Sequence, residues 1–599
     1  MSARTSNLPL WQRPWRSATA GWAVAAAVLA AGVPLFLCMP PWTDVTLYDV
    51  AARTVLRGGV HYRDVFDTNT PGFVWALAAI RSCCGWSSEA LRAWDLAVVA
   101  ATTALLIALV RRAGGAGYPA AWFAAAVALF YPFTSEFCHC QRDVWMLLPA
   151  AAAAWLRLRR VGSSPNPPAP FPKREGGERA NPLPVSPSRF GEGPREGLAW
   201  AVVEGLLWGM AVWLKPHVIV PAFAVWLVSA VSIYRAAGWR RALADALGLL
   251  VSGLLAGGLG VLWLVRSGAW PYFVDVFTNW NPEYVAQTWV ELPDRPLRTF
   301  EYFPPWSLLH LAAVPLAVAG LRGTRPARAV LGALYLGWLL QALVLQKGLD
   351  YVHVPETLLA MAVLAGHRWA VGFPFLVWFA VTGVALNLTG TGPAVASFNR
   401  WIPAVRLERH PLADPAVLAV WPRCWREGST PELRDRLGQY VDVHCGTRWE
   451  DLDRVARFLR TVEPPLGDRE LTCWHDSTHP LYLMLGVEPS TRYMHFGTVF
   501  SLRGKVDVIR AEVAASRQRY VVSDLRRMTY RLADAYAPGA HGEHSLPGWF
   551  PRSQRGVFPW NQPVVFRSGR YVVHRVEEPI GEIDIPAWEK LDELGPGGE

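Results

Sequence analysis

Lysine is nearly missing from this 599-residue chain: only five of its 58 basic residues are lysine, and the other 53 are arginine. Charge is sparse as well, at 18% of residues, and the net charge of +10 is scattered over loops, with no basic stripe interleaved with aromatics. That pattern excludes a nucleic-acid partner. Residues 391–599 hold neither G-x-G-x-x-G nor G-x-x-x-x-G-K-[ST], so no loop there is built to cradle the phosphates of a soluble nucleotide. Cys138, His139 and Cys140 lack a second ligand pair at metal spacing, and no metal or other cofactor is expected. There is no internal repeat of the kind that duplicated transporter halves show.

What the chain has is apolar sequence, 52% of residues, with 31 Trp, 24 Phe and 17 Tyr. Nearly all the long apolar runs lie between residues 18 and 388. A helix needs about 20 mostly apolar residues to cross the hydrocarbon of a bilayer. About eleven such segments are found, centred near residues 29, 100, 125, 150, 206, 226, 253, 313, 337, 361 and 379. The fold class expected is therefore a multi-pass α-helical membrane protein with a C-terminal soluble α/β domain. The Trp and Tyr excess fits belts at the two membrane interfaces.

Sidedness follows from the arginines. Arg4, Arg13 and Arg16 precede the first span, and Arg111, Arg112, Arg235, Arg240, Arg241, Arg322, Arg325, Arg328 and Arg368 fall in alternate loops on that same side. The short loops on the other side carry Arg142, Lys215 and Lys347. The positive-inside rule then puts residues 1–17 in the cytoplasm as a tail. A cleaved signal peptide over residues 1–40 is the other reading, although its apolar run is long and no A-x-A site closes it. The expected domains are the tail, a membrane domain over 18–390, a Pro/Gly/Arg-rich cytoplasmic insert at 157–197 with little to build a core, and an extracytoplasmic domain over 391–599. In that last domain, 451–460 and 505–516 have helical periodicity, while 470–474, 519–523 and 570–575 read as strands. Its expected role is support, in acceptor docking or partner contact. A disulfide between Cys83 or Cys84 and Cys138 or Cys140 would tie two outer loops together, and spacing alone leaves the pairing open.

The outer loops hold the chemistry-bearing residues. Residues 43–95 begin TDVTLYDVAARTVLRGGVHYRDVFDTNTPG and place Asp44, Tyr48, Asp49, Tyr62, Asp64 and Asp67 just outside the first span. Asp44 there reads equally as the cap of a helix. TSEFCHCQRDVW at 134–145 puts Arg142 and Asp143 at a membrane edge, where charge is costly; favourable interaction with its own helix N-terminus is the plainer account of Asp143. QALVLQKGLDYVHVPE at 341–356 brings Lys347, Tyr351 and His353 to the outer interface, either as phosphate-holding cations or as ordinary interfacial side chains.

The order of these stretches resembles the GT-C glycosyltransferases, in the bacterial branch similar to protein O-mannosyltransferases and lipid A aminoarabinose transferases. The resemblance rests on Asp44 with Tyr48 four residues on, RGGVHYRDVFDTNTPG, the short outer turn ending in Asp143, and QKGLDYVHVP before a late span, and covers roughly residues 20–390. It implies a GT-C fold in the plasma (inner) membrane. It also implies inverting transfer of a sugar from a polyprenyl-phosphate donor to a lipid, glycan or protein acceptor on the outer face. Asp44 would then be the general base and Asp143 would orient acceptor or base. Lys347 and His353, and less centrally Arg142, would stabilise the departing phosphate, with Tyr48, Asp49, Tyr62 and Tyr351 in the substrate site. The family often carries an acidic pair at the first position, whereas Val45 follows Asp44 here, which leaves Asp49 as a second carboxylate. Two other classes stay open: a flippase for lipid-linked glycans, for which Glu204 and Asp245 are the residues to test, and a non-catalytic scaffold.

Overall fold

The computed structural model describes residues 15–161, 194–290, 300–389, 410–441, 445–499, 502–528 and 544–581, with residues 397, 400 and 583. Ser17 opens α1 (Ala18–Cys38) by accepting the Ala20 N–H at 3.1 Å. Helices α2 (Thr43–Leu56) and α3 (Gly72–Cys84) follow, then α4 (Ser88–Ala113), which Ser87 caps and Gly114 ends at φ +112°. After α5 (Tyr118–Phe130), a short α6 (Arg142–Trp145) leads into α7 (Leu147–Val161). Next come α8 (Pro194–Leu214), α9 (Ile219–Arg266), α10 (Trp270–Asp275) and α11 (Asn281–Val290). Helices α12 (Leu309–Arg322), α13 (Pro326–Leu345), α14 (Val354–Gly366) and α15 (Gly372–Thr389) complete the apolar part.

Each of the eleven expected centres falls on a helix. The centres at 226 and 253 share α9, which breaks at Gly238, φ +79°, between Arg235 and Arg240. By length and composition, four segments among the described residues suffice to cross a membrane: Ala18–Cys38, Ser88–Ala113, Pro216–Arg266 and Pro326–Leu345. Five further apolar helices are shorter. Helices α5 and α14 are buried along almost their whole length, because neighbouring helices surround them on all sides.

The expected insert needs correction at its start. Helix α7 runs on to Val161, and Arg157 and Arg160 turn into the helix bundle because Glu204 of α8 and Asp245 of α9 await them. Arg157 Nε donates to Glu204 at 2.8 Å and its Nη1 to Asp245 at 2.6 Å, while Arg160 Nη1 donates to Glu204 at 2.6 Å. Residues 162–193 of the insert, like residues 1–14 of the tail, lie outside the described residues.

The C-terminal part contains α16 (Pro415–Glu427), α17 (Pro431–Leu437), α18 (Trp449–Arg460), α19 (Pro480–Leu485), α20 (Phe496–Val499) and α21 (Val506–Ala515). Its strands β1 (Leu471–Cys473), β2 (Tyr520–Asp524), β3 (Val564–Ser568) and β4 (Tyr571–Arg575) form one sheet in the order β1-β2-β4-β3. β1 and β2 are parallel and the other pairs antiparallel. Leu452, Val455 and Leu459 are buried, as their helical spacing predicts. Strand β3 was not anticipated.

Helix α2 joins the two parts. Its Arg53 donates to the Tyr482 carbonyl at 2.7 Å and to that of Val487, and Thr43 Oγ1 donates to the Cys445 carbonyl at 2.7 Å. From the loop after α2, the Phe66 N–H donates to the Arg492 carbonyl at 2.9 Å. In the outer turn, Glu136 accepts the N–H groups of Gln439 and Tyr440 at 2.9 and 2.6 Å. At the start of α3 a Cβ on Gly72 would sit 2.4 Å from the Trp213 carbonyl oxygen, so only glycine lets α3 meet the end of α8 there.

None of the eight cysteines is in a disulfide, so the expected bridge is not formed. Cys83 and Cys84 are exposed at the end of α3, whereas Cys138 and Cys140 are buried in the outer turn.

Candidate functional site

A cavity of about 280 Å³ lies where α2, the loop after it, the outer turn, the 347–351 segment and the C-terminal domain converge. Its polar lining includes Asp44, Tyr48, Asp67, Asn69, Arg142, Tyr284, Lys347, Tyr351, Cys445, Asp476 and His495. Five of the nine residues expected from sequence are therefore brought together: Asp44, Tyr48, Arg142, Lys347 and Tyr351. Helix α2 supplies the first two, four positions apart and hence on one face.

Burial pushes the Asp44 carboxyl above its ordinary range, His495 and Arg142 draw it back, and Asp476 and Asp67 add to the rise. Tyr48 stands beneath the Arg142 guanidinium, 5.7 Å from the ring centre, and its hydroxyl accepts the Asn69 Nδ2–H at 2.9 Å. Asn69 is held in turn by Asp67, whose Oδ1 accepts its backbone N–H at 2.9 Å and its side-chain N–H at 2.7 Å. The Lys347 ammonium lies 3.8 Å from the centre of the Tyr284 ring. Tyr351 packs edge-on to Phe137. The result is three carboxylates, a histidine and two cations in one aromatic-walled space.

Four expected site residues are elsewhere. Asp49 is 2% exposed and takes the Arg81 guanidinium in two hydrogen bonds, Nε at 2.8 Å and Nη2 alongside. It lies about 140° around the helix from Asp44, so it faces α3. Tyr62 is fully buried, stacks on His61 and donates its hydroxyl to the Asn69 carbonyl at 2.6 Å, shaping the loop from behind. Asp143 is fully buried and accepts two hydrogen bonds from Lys215, at 2.7 and 2.9 Å. His353 pairs with Glu356, three residues on, at 2.6 Å and stacks under Tyr302. Each is consumed by a partner and lines no part of the cavity.

Sequence reading missed Lys215 as a partner of this site. Between α8 and α9, it sits 5.9 Å from the Tyr351 ring centre and donates to Gln346 as well as Asp143. Burial brings its pKa down to about 8, against the pull of Asp143. Also missed were Asp476 and His495, from the domain expected only to support. Asp476, His479 and His495 form the one group of three His, Cys, Asp or Glu with metal-binding spacing among the described residues. The Cys138–His139–Cys140 turn is not such a group: His139 bonds to Arg92 at 3.0 Å and to Thr134 at 2.9 Å. The only sequence signal for the cluster was Asp476 with His479 three residues on.

No family model matches the chain, and no curated protein matches it. Among solved structures it is similar to ArnT from Cupriavidus metallidurans bound to undecaprenyl phosphate, at 15% identity over 93% of this chain and 98% of that one, with a TM-score of 0.48. It is also similar to the oligosaccharyltransferase of Archaeoglobus fulgidus in the apo form, at 13% identity over 88% of this chain and 72% of that one, with a TM-score of 0.40. Both are GT-C enzymes, the class that the outer-loop pattern of this sequence resembles.

Proposed function

We propose that this protein is a membrane glycosyltransferase that moves a sugar from a polyprenyl-phosphate donor to an envelope acceptor on the outer face of the plasma membrane. The observation that carries the reading is the convergence of Asp44, Arg142 and Lys347 on one cavity with aromatic walls. A lipid-linked donor needs no soluble-nucleotide loop, and the chain shows none in its C-terminal domain.

In this reading Asp44 is the general base. Its desolvated carboxylate is a better proton acceptor than one in water, which suits it to take the proton of an acceptor hydroxyl. The acceptor oxygen attacks the anomeric carbon as the bond from that carbon to the phosphate oxygen breaks. The bonding electrons leave with polyprenyl phosphate, and attack from the face opposite the leaving group inverts the anomeric centre. Arg142 and Lys347 stabilise the charge that develops on the departing phosphate. The tyrosine faces offer stacking surface to a sugar ring. Asp143 acts at one remove, by holding Lys215.

The test is release of free polyprenyl phosphate by the purified, reconstituted protein from a panel of polyprenyl-phosphate sugars, with a membrane extract as acceptor source. Release by wild type and none by Asp44→Asn is expected. Equal release by a folded Asp44→Asn protein removes the base assignment, and no release from any donor removes the transferase reading.

Glu204 and Asp245, the residues to test for the flippase reading, are both engaged by Arg157 and Arg160.

A further inference from the structure

We infer that the C-terminal domain holds a divalent transition-metal ion, of the zinc class, at the wall of this cavity. The ligands are Asp476, His479 and His495. Each offers a ligand atom, and the three atoms lie within 4.8 Å of one another. His479 Nε2 is 3.7 Å from Asp476 Oδ1, and His495 Nε2 is 3.8 Å from Asp476 Oδ2. Those separations are too long for hydrogen bonds.

Their polar atoms support the same conclusion. His479 is fully buried, and its Nε2–H goes to the Met494 carbonyl at 2.7 Å. A metal-bound imidazole commonly makes that kind of backbone bond with its other nitrogen. Among the described residues, the buried Nδ1 atoms of His479 and His495 have no hydrogen-bond partner. Burying such atoms unsatisfied is costly without a ligand. Two imidazoles and one carboxylate form a set that suits zinc, and three protein ligands leave a fourth position open.

That position faces the cavity, because Asp476 and His495 are themselves in its lining, with Cys445 beside them. A bound ion would present its open site to the same space as Asp44, Arg142 and Lys347, where a phosphoryl oxygen could take it. The use of the ion toward phosphate rests on the transferase reading; its binding does not.

The experiment uses the full-length, tag-free protein in detergent. Metal-depleted wild type is titrated with Co2+, which reports a four- or five-coordinate site by its visible absorption, and with Zn2+, followed by the thermal unfolding midpoint. One equivalent per chain is expected, with a visible band and a raised midpoint. His495→Gln, at the cavity edge, and Asp476→Asn should each lose the band and at least tenfold in affinity. Their metal-free midpoints should match that of metal-free wild type. Asp44→Asn should keep the band. Wild type that binds no more cobalt than the Asp476→Asn/His495→Gln double variant overturns the site. Farnesyl phosphate added to the cobalt-loaded protein should shift the band; a band that persists unshifted overturns the role toward phosphate alone.

Discussion

Two clusters of buried charge stand at opposite ends of one helical run, about 20 Å apart along α6 and α7. At the far end of α7, Arg157 and Arg160 meet Glu204 and Asp245, two cations against two carboxylates. At the outer end, Lys215 and Asp143 pair in the same manner, yet Asp44, Arg142 and Lys347 next to them face a cavity. The first cluster is closed on itself and joins α7, α8 and α9. The second is a paired base under a set of groups aimed at open space. Burial of charge therefore does not distinguish scaffold from site in this protein. What distinguishes them is whether the charges also line a cavity.

That contrast can be broken at either end. Asp44→Asn should lower transfer by about 10²- to 10⁴-fold, the usual contribution of a general base, with the unfolding midpoint unchanged; phosphate release together with a melting curve checks it. Arg157→Leu should do the reverse. It leaves Arg160 alone against two buried carboxylates and should cost about 3 kcal/mol of stability, while transfer per folded molecule stays at the wild-type rate. Denaturant unfolding and single-turnover transfer separate the two effects. Lys347→Gln removes a cation from the cavity wall, and kcat/KM for the donor should fall about tenfold.

The Lys215 pair gives a finer test. Its folded pKa of about 8 lies below that of a lysine in water. Between these values the unfolded chain binds more protons, so this group makes stability rise as pH climbs from about 8 through the ordinary lysine range. Unfolding midpoints measured across that interval should rise for wild type and stay flatter for Lys215→Arg, which does not titrate there. The smallest effect is that of Tyr62→Phe, about 1 kcal/mol for the bond to the Asn69 carbonyl, with transfer nearly unchanged. A large loss of transfer instead would return Tyr62 to the substrate site.

Five of the nine residues expected from the sequence share the cavity, because outer loops beside apolar spans are where polar groups gather. The other four lie outside it for one shared reason. Asp49, Tyr62, Asp143 and His353 look as available as Asp44 until their partners are known, and Arg81 and Lys215 lie 32 and 72 residues from the carboxylates they neutralise. The insert boundary failed in the same way: RLRR at 157–160 reads as solvated sequence, and only Glu204 and Asp245 explain why two of its arginines are buried.

The sequence by itself determined the helical segments, their apolar character and the loops that carry charge. Those properties depend on local composition and on the cost of exposing apolar side chains or backbone in the wrong solvent. Tertiary structure alone decided which charges are paired deep in the helix bundle and which line the cavity. It also brought Asp476 and His495 into the cavity wall beside Asp44, more than 400 positions earlier in the chain. The pairs of Asp49 with Arg81 and of Asp143 with Lys215 join residues remote in sequence, and no local pattern encodes them.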